Sequence, residues 1–163
     1  TIDSTQIFIT GMSAGGAMSN AVMNAYPTLF NAGALMAAPS NLFNANTEKG
    51  QPRIAILQGD KDKVVPPKNA ERITIQWIKK HRIDISQNQT IKDYLNNPLL
   101  TRTNYFNFKN ELKLVTIYAE GIRHKLLIKP GNKITQGGEL DVHTKDVNFH
   151  STYWIANFFG LVH

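Results

Sequence analysis

An α/β fold with a mainly parallel sheet is what this 163-residue sequence predicts, on three observations. Short apolar runs at Ile7 to Ile9, Ala32 to Ala38 and Ile54 to Leu57 read as strands buried on both faces. Segments with helical periodicity, Ala14 to Tyr26 and Lys68 to Lys80, alternate with them. A glycine-flanked serine, Gly11-Met12-Ser13-Ala14-Gly15, stands where the first strand gives way to the first helix.

The elements follow in order. Thr10 and Gly11 end the first apolar run. In the next segment Ala17, Met18, Ala21, Val22 and Ala25 recur at helical spacing, and Pro27 closes it. The second strand stops at Pro39. A loop rich in Asn, Thr, Lys and Gly then runs from Asn41 to Pro52, and the third strand ends at Gly59. Pro66-Pro67 suit a helix start, and Ala70, Ile73, Trp77 and Ile78 line one face of the helix that follows. Residues 83–98 are polar and irregular. Thr101 to Phe108 and Leu112 to Tyr118 read as an antiparallel hairpin around Lys109-Asn110. Asp146 to Phe159 carries Val147, Trp154, Ile155 and Phe158 on one side and stops at Gly160, which predicts a closing amphipathic helix. No internal repeat or low-complexity tract interrupts this order.

Right-handed crossovers place successive parallel strands to one side of the first, which leaves Ile7 to Ile9 at an open edge. A strand of that composition belongs in the middle of a sheet. The chain is therefore expected to be the C-terminal part of a larger domain whose N-terminal strands lie upstream. The alternative is a minimal domain with a covered edge.

Composition bounds the rest. With 42% hydrophobic residues the chain can bury a core of single-domain size, and one domain over 1–163 is expected. The formal net charge is +6, but the basic residues are scattered, Lys79-Lys80 being the longest run. Without an RNA-recognition or zinc-finger signature, nucleic acid is not an expected partner. The absence of cysteine excludes disulfides and thiolate metal sites and leaves the compartment open. No segment approaches the ~18 apolar residues of a membrane span, and no signal peptide precedes Gly11.

G-x-S-x-G at a strand-to-helix turn describes a nucleophile elbow, which projects a serine hydroxyl above a sheet. Three fixed positions match by chance at about 0.05 over a chain of this length, so the flanking strand and helix carry the reading. The helix start also aims the N–H of Ala14 to stabilise an oxyanion. A serine needs a histidine to take its proton, and a carboxylate to orient that histidine. In the chain order Ser, acid, His, the loop after Ile54 to Leu57 offers Asp60 and Asp62. The loop after Leu112 to Tyr118 offers His124. His143, in the loop before the last helix, is a rival base. His81 ends a helix, His150 lies within the last helix and His163 is terminal, so these read as surface or packing residues.

At these residues the sequence resembles the α/β-hydrolase esterases grouped with polyhydroxybutyrate depolymerases, feruloyl esterases and acetylxylan esterases. Ile7 through Met18 looks like that group's elbow, and Tyr26-Pro27 with Phe30-Asn31-Ala32-Gly33-Ala34 continues it. Gly59-Asp60-Lys61-Asp62-Lys63-Val64-Val65-Pro66 resembles its G-x-x-D-x-x-V-P acid loop, which points to Asp62 rather than Asp60. Gly121-Ile122-Arg123-His124 resembles its G-x-G-H base loop. Two departures stand out: Arg123 replaces a small residue, and Lys125 to Lys129 separates His124 from the Pro130-Gly131 turn. The resemblance implies an α/β-hydrolase fold and a triad of Ser13, Asp62 and His124. It further implies hydrolysis of a polyester, an oligomer or an acylated polysaccharide without metal or cofactor, in an extracellular or periplasmic setting. A peptidase or thioesterase of the same fold, and a non-catalytic ester-binding remnant lacking the upstream oxyanion-hole half, remain open.

Overall fold

A computed structural model describes residues 3–40 and 50–162, so most of the Asn41 to Pro52 loop, together with His163, lies outside the described residues. The first apolar run becomes β1 (Phe8–Met12), followed by α1 (Ala14–Ala25) and β2 (Ala32–Met36). Next come β3 (Arg53–Gly59), α2 (Lys68–His81) and β4 (Gln89–Ile91). The hairpin is β5 (Leu100–Phe106) and β6 (Leu112–Ala119); β7 (Leu126–Ile128), β8 (Thr144–Asp146) and α3 (Ser151–Phe159) complete the order.

The main sheet has the order β1-β2-β3-β6-β5-β4, and β7 and β8 pair in a separate two-stranded sheet. β1, β2, β3 and β6 are parallel, with Thr10, Ala34, Ala55 and Val115 in line across them. β5 runs antiparallel to β6, and β4 antiparallel to β5. The carboxyl ends of β1, β3 and β6 therefore share one rim, where α/β sheets place their sites.

Alternation along the strands divides the core between the two faces. Leu35, Ile54, Ile56 and Leu114 pack with Met23 of α1 and with Ala70, Ile73 and Trp77 of α2. Ala34, Ala55, Leu57, Val115 and Ile117 pack with Ile155 and Phe159 of α3. Phe159 also stacks on Phe8, ring centroids 4.7 Å apart, which ties the last helix to the first strand. β3 is buried over most of its length, whereas β1 is half-buried and Thr10 is exposed. β1 is thus the edge the crossover rule predicts.

Four expectations change. β1 continues through Thr10 and Gly11 to Met12, because the parallel ladder with β2 extends to Met36. Residues 83–98 hold β4, and 126–146 hold β7 and β8; strands of three residues are too short to show a period. α3 begins at Ser151 rather than Asp146, so Val147 lies in a loop with its N–H donating to Ile128 O, and His150 occupies the N-cap position. The apolar stripe expected on α1 is not the face it buries: Met18 is 64% exposed, while Ser19, Asn20, Met23 and Asn24 face inward. Polar burial is supported by bonds, since Asn20 Oδ1 accepts from Trp77 Nε1 at 2.9 Å and Asn24 Nδ2 donates to Asn20 O at 2.7 Å.

Candidate active site

Ser13 lies between β1 and α1 with φ 53° and ψ −123°, a region sparsely populated by residues other than glycine. Holding it there costs on the order of 1–3 kcal/mol. Two backbone bonds oppose that cost, Ser13 N to Met36 O at 2.8 Å and Ala17 N to Ser13 O at 3.0 Å. Serine at a helix N-cap normally bonds the first turn, but the Ser13 side chain makes no capping bond. Ala14 is the first residue of α1, so its N–H has no acceptor within the helix.

The glycines of the motif divide their work unequally. A Cβ on Gly11 would come within 2.4 Å of the Gly15 backbone, and one on Gly16 within 2.7 Å of Ala38 Cβ. A Cβ on Gly15 meets nothing within 4 Å. The close approach therefore needs Gly11 and Gly16, and the last glycine of the pattern is not sterically required by the described residues.

Asp62, in the loop after β3, has a side chain with no exposed surface. Its Oδ1 accepts from Val64 N at 2.9 Å and Val65 N at 2.8 Å. Its Oδ2 lies 2.7 Å from Nδ1 of His124, in the loop after β6. The carboxylate caps its own turn through Oδ1 and meets the histidine through Oδ2. Donation from Nδ1–H to Asp62 leaves Nε2 of His124 as the proton acceptor. Asp60 is not bonded to the histidine. Its Oδ1 accepts from Gly121 N at 2.7 Å, and Lys61 N donates to Ile122 O at 2.9 Å, so the acid and base loops are tied together. A Cβ on Gly59 would meet Ile122 O at 2.4 Å, so glycine permits that contact.

The other histidines lie elsewhere. His143 is exposed, and its carbonyl accepts from Leu126 N in the small sheet. His81 Nε2 lies 3.0 Å from Pro52 O, and burial pushes its pKa down to about 4. His150 occupies the N-cap position of α3 without a side-chain capping bond and stacks on Tyr153. Arg123 is exposed, and the departure from Lys125 to Lys129 contains β7, whose Ile128 pairs with Asp146. Gln58 was not anticipated: its buried Nε2 reaches Asp62 Oδ2 at 3.3 Å and donates to Val65 O at 3.1 Å, bracing the acid loop. Ala37 was also missed; it is a buried residue just after β2 with φ 44°. Neither has a short-range sequence signal. Among the described residues no group of three His, Cys, Asp or Glu side chains is placed to hold a metal, and no helix is long and apolar enough to cross a membrane.

Residues 1–49 match the model of the prolyl oligopeptidase family. Poly(3-hydroxyalkanoate) depolymerase C of Paucimonas lemoignei is 26% identical over 192 residues, spanning 99% of this chain and 45% of the depolymerase. An acetyl xylan esterase from Aspergillus awamori superposes with a TM-score of 0.69 at 20% identity, over 98% of this chain and 61% of that one. A PHB depolymerase solved with an R3HB trimer superposes with a TM-score of 0.56 at 14% identity, over 91% of this chain and 49% of that one. The chain has the α/β-hydrolase fold, and the expected resemblance to the depolymerase and esterase group is borne out. It spans less than half the length of the curated depolymerase it matches.

Proposed function

We propose that Ser13, His124 and Asp62 form the triad of a serine esterase that hydrolyses carboxylic esters through an acyl-enzyme. The observation that carries this reading is the 2.7 Å contact between His124 Nδ1 and the buried Asp62 carboxylate, on the same sheet rim as a serine in elbow geometry. Ser13 Oγ attacks the ester carbonyl while His124 Nε2 takes its proton. The N–H of Ala14 stabilises the oxyanion. Collapse expels the alcohol with the proton from His124, and water attacks the acyl-serine by the reverse route. Asp62 holds the imidazole tautomer and stabilises the imidazolium. No step requires a metal or cofactor.

The names of the relatives support an ester substrate, either a polyhydroxyalkanoate or its short oligomers, or an acyl group on polysaccharide. The same resemblance supports an extracellular or periplasmic setting. The half-buried edge of β1 and the exposed Met18 face of α1 support further strands upstream, completing the sheet and supplying a second oxyanion donor. One such donor is typically worth roughly 100- to 1000-fold in rate. The prolyl oligopeptidase match favours a second reading, a peptidase of this fold, but it covers only residues 1–49, the elbow segment that both chemistries use.

A fluorophosphonate probe applied to the full-length protein tests the proposal. A covalent adduct on Ser13 is expected, together with turnover of ester substrates in preference to peptide and thioester substrates. Absence of the adduct overturns the esterase reading and leaves the non-catalytic module. Preferential peptide turnover selects the peptidase.

A further inference from the structure

A cleft of about 370 Å³ opens on the α3 side of the sheet, lined by Tyr94, Arg102, Lys129, Tyr153, Trp154 and Phe158 among others. Its size falls in the range of small-molecule sites. Arg102 is on β5, four strand spacings from the β1 end that carries Ser13, or about 19 Å across the sheet. None of Ser13, Asp62 and His124 lines the cleft.

Its polar and aromatic groups are held in fixed positions. Arg102 donates from Nε to Asn104 Oδ1 and from Nη1 to Tyr94 Oη, both at 2.7 Å. Trp154 Nε1 donates to the same phenol oxygen at 3.0 Å. The guanidinium carbon lies 5.0 Å from the Tyr94 ring centroid and 5.7 Å from that of Trp154, and Trp154 stacks on Phe158 at 5.6 Å. The segment delivering Tyr94 is unusual: Asp93, Leu95 and Asn96 all have positive φ, with Leu95 at 59°. Left-handed backbone at an aliphatic residue is uncommon and clusters at ligand sites.

The charge is one-sided. None of the cleft's lining residues is acidic, and neither Arg102 nor Lys129 has a carboxylate within ion-pair distance among the described residues. All the acceptors on Arg102 are neutral, so the cation is oriented but not neutralised. Trp154 and Phe158 stack on each other, with Arg102 over the first ring and Arg53 over the second, so the rings line the cleft as a fixed apolar cluster. Such a lining beside two cations without carboxylate partners matches an amphipathic anion better than a neutral molecule or a bare inorganic ion.

We propose that this cleft binds a small organic carboxylate with an apolar body, the carboxylate between Arg102 and Lys129 and the body among the aromatic side chains that line the cleft. The site is independent of the esterase reading and stands or falls separately from it.

Phenylacetate is the probe, and the indole N–H resonance of Trp154 in the ¹⁵N-labelled full chain, assigned with Trp154→Phe, is the reporter. Saturable movement of that resonance is expected, with unchanged affinity in Ser13→Ala. Phenylacetamide, which lacks only the charge, is expected to bind about tenfold more weakly or worse. Arg102→Gln and Lys129→Gln should each lower phenylacetate affinity about tenfold; the lysine variant keeps the test open where the arginine variant misfolds. Inorganic phosphate should not compete. An unmoved Trp154 resonance, equal binding of the amide, displacement by phosphate at equal concentration, or loss of binding in Ser13→Ala would overturn the proposal.

Discussion

Asp62 and His124 meet at 2.7 Å although 62 positions separate them in the chain. The contact depends on two loops being held against each other, by Asp60 on Gly121 and by Lys61 on Ile122, and on β3 and β6 being neighbours in the sheet. The carboxylate is pre-oriented because Oδ1 is already occupied by the amides of Val64 and Val65. Oδ2 is left to face the imidazole.

Ser13→Ala is expected to abolish p-nitrophenyl butyrate turnover in the full-length protein with no loss of stability. The serine side chain makes no capping bond that alanine would remove. Unchanged turnover rules out Ser13 as the nucleophile.

Asp62→Asn separates the two functions of that residue. An asparagine keeps an oxygen for Val64 and Val65 N–H, but presents an amide to His124 and favours the wrong tautomer. The expected loss is roughly 10³- to 10⁴-fold in kcat with Tm shifted by only a few degrees. A drop of less than tenfold in kcat removes Asp62 from the triad.

Gly59→Ala would place a methyl within 2.4 Å of Ile122 O and 2.8 Å of Arg123 O, both backbone atoms. Displacement of the base loop should cost more than about 2 kcal/mol and lower activity at least tenfold. Gly15→Ala is the contrast, since its methyl meets nothing within 4 Å and alanine is the better helix former. Urea melts of the two variants check the ordering, and equal destabilisation contradicts it.

Asn20→Ala should destabilise by about 2–3 kcal/mol, because it leaves the fully buried Trp77 Nε1–H without its acceptor. Denaturant titration measures the loss. A change under about 0.5 kcal/mol means that the polar face of α1 is not held as described.

Stability should fall on acidification through His81. Burial lowers its folded pKa from 6.5 to about 4, so the unfolded chain binds the proton first. The contribution is fully present above about pH 6.5 and is lost as pH falls towards 4, on the order of 3 kcal/mol in all. His81→Gln should flatten the stability profile between pH 7 and 4, as read by urea unfolding. An unchanged slope assigns the acid sensitivity to other groups.

The parallel core was legible because β1, β2 and β3 each contain a short apolar run, and α2 because Ala70, Ile73 and Trp77 repeat at its period. The hairpin of β5 and β6 was legible from its turn residues. β4, β7 and β8 were not, since three residues cannot express an alternation. Apolar spacing did not reveal the inward face of α1: it buries Asn20, which accepts from Trp77 in α2, and Asn24, which donates to Asn20. Gln58 behind Asp62 likewise has no motif, because its role depends on where Val65 and Asp62 fold back.

Local pattern by itself determined the alternation of strands and helices, the candidate elbow at Ser13 and the two loops offering Asp62 and His124. These depend on residue type and spacing over a few positions. Tertiary structure alone decided that the Asp62 carboxylate, to which the acid-loop resemblance already pointed, comes within 2.7 Å of the imidazole, that Gly16 rather than Gly15 allows the close approach, and that Arg102 stands beside Trp154 without a counter-charge. Each of these depends on distances between segments far apart in the chain, and such distances exist only once the sheet order is set.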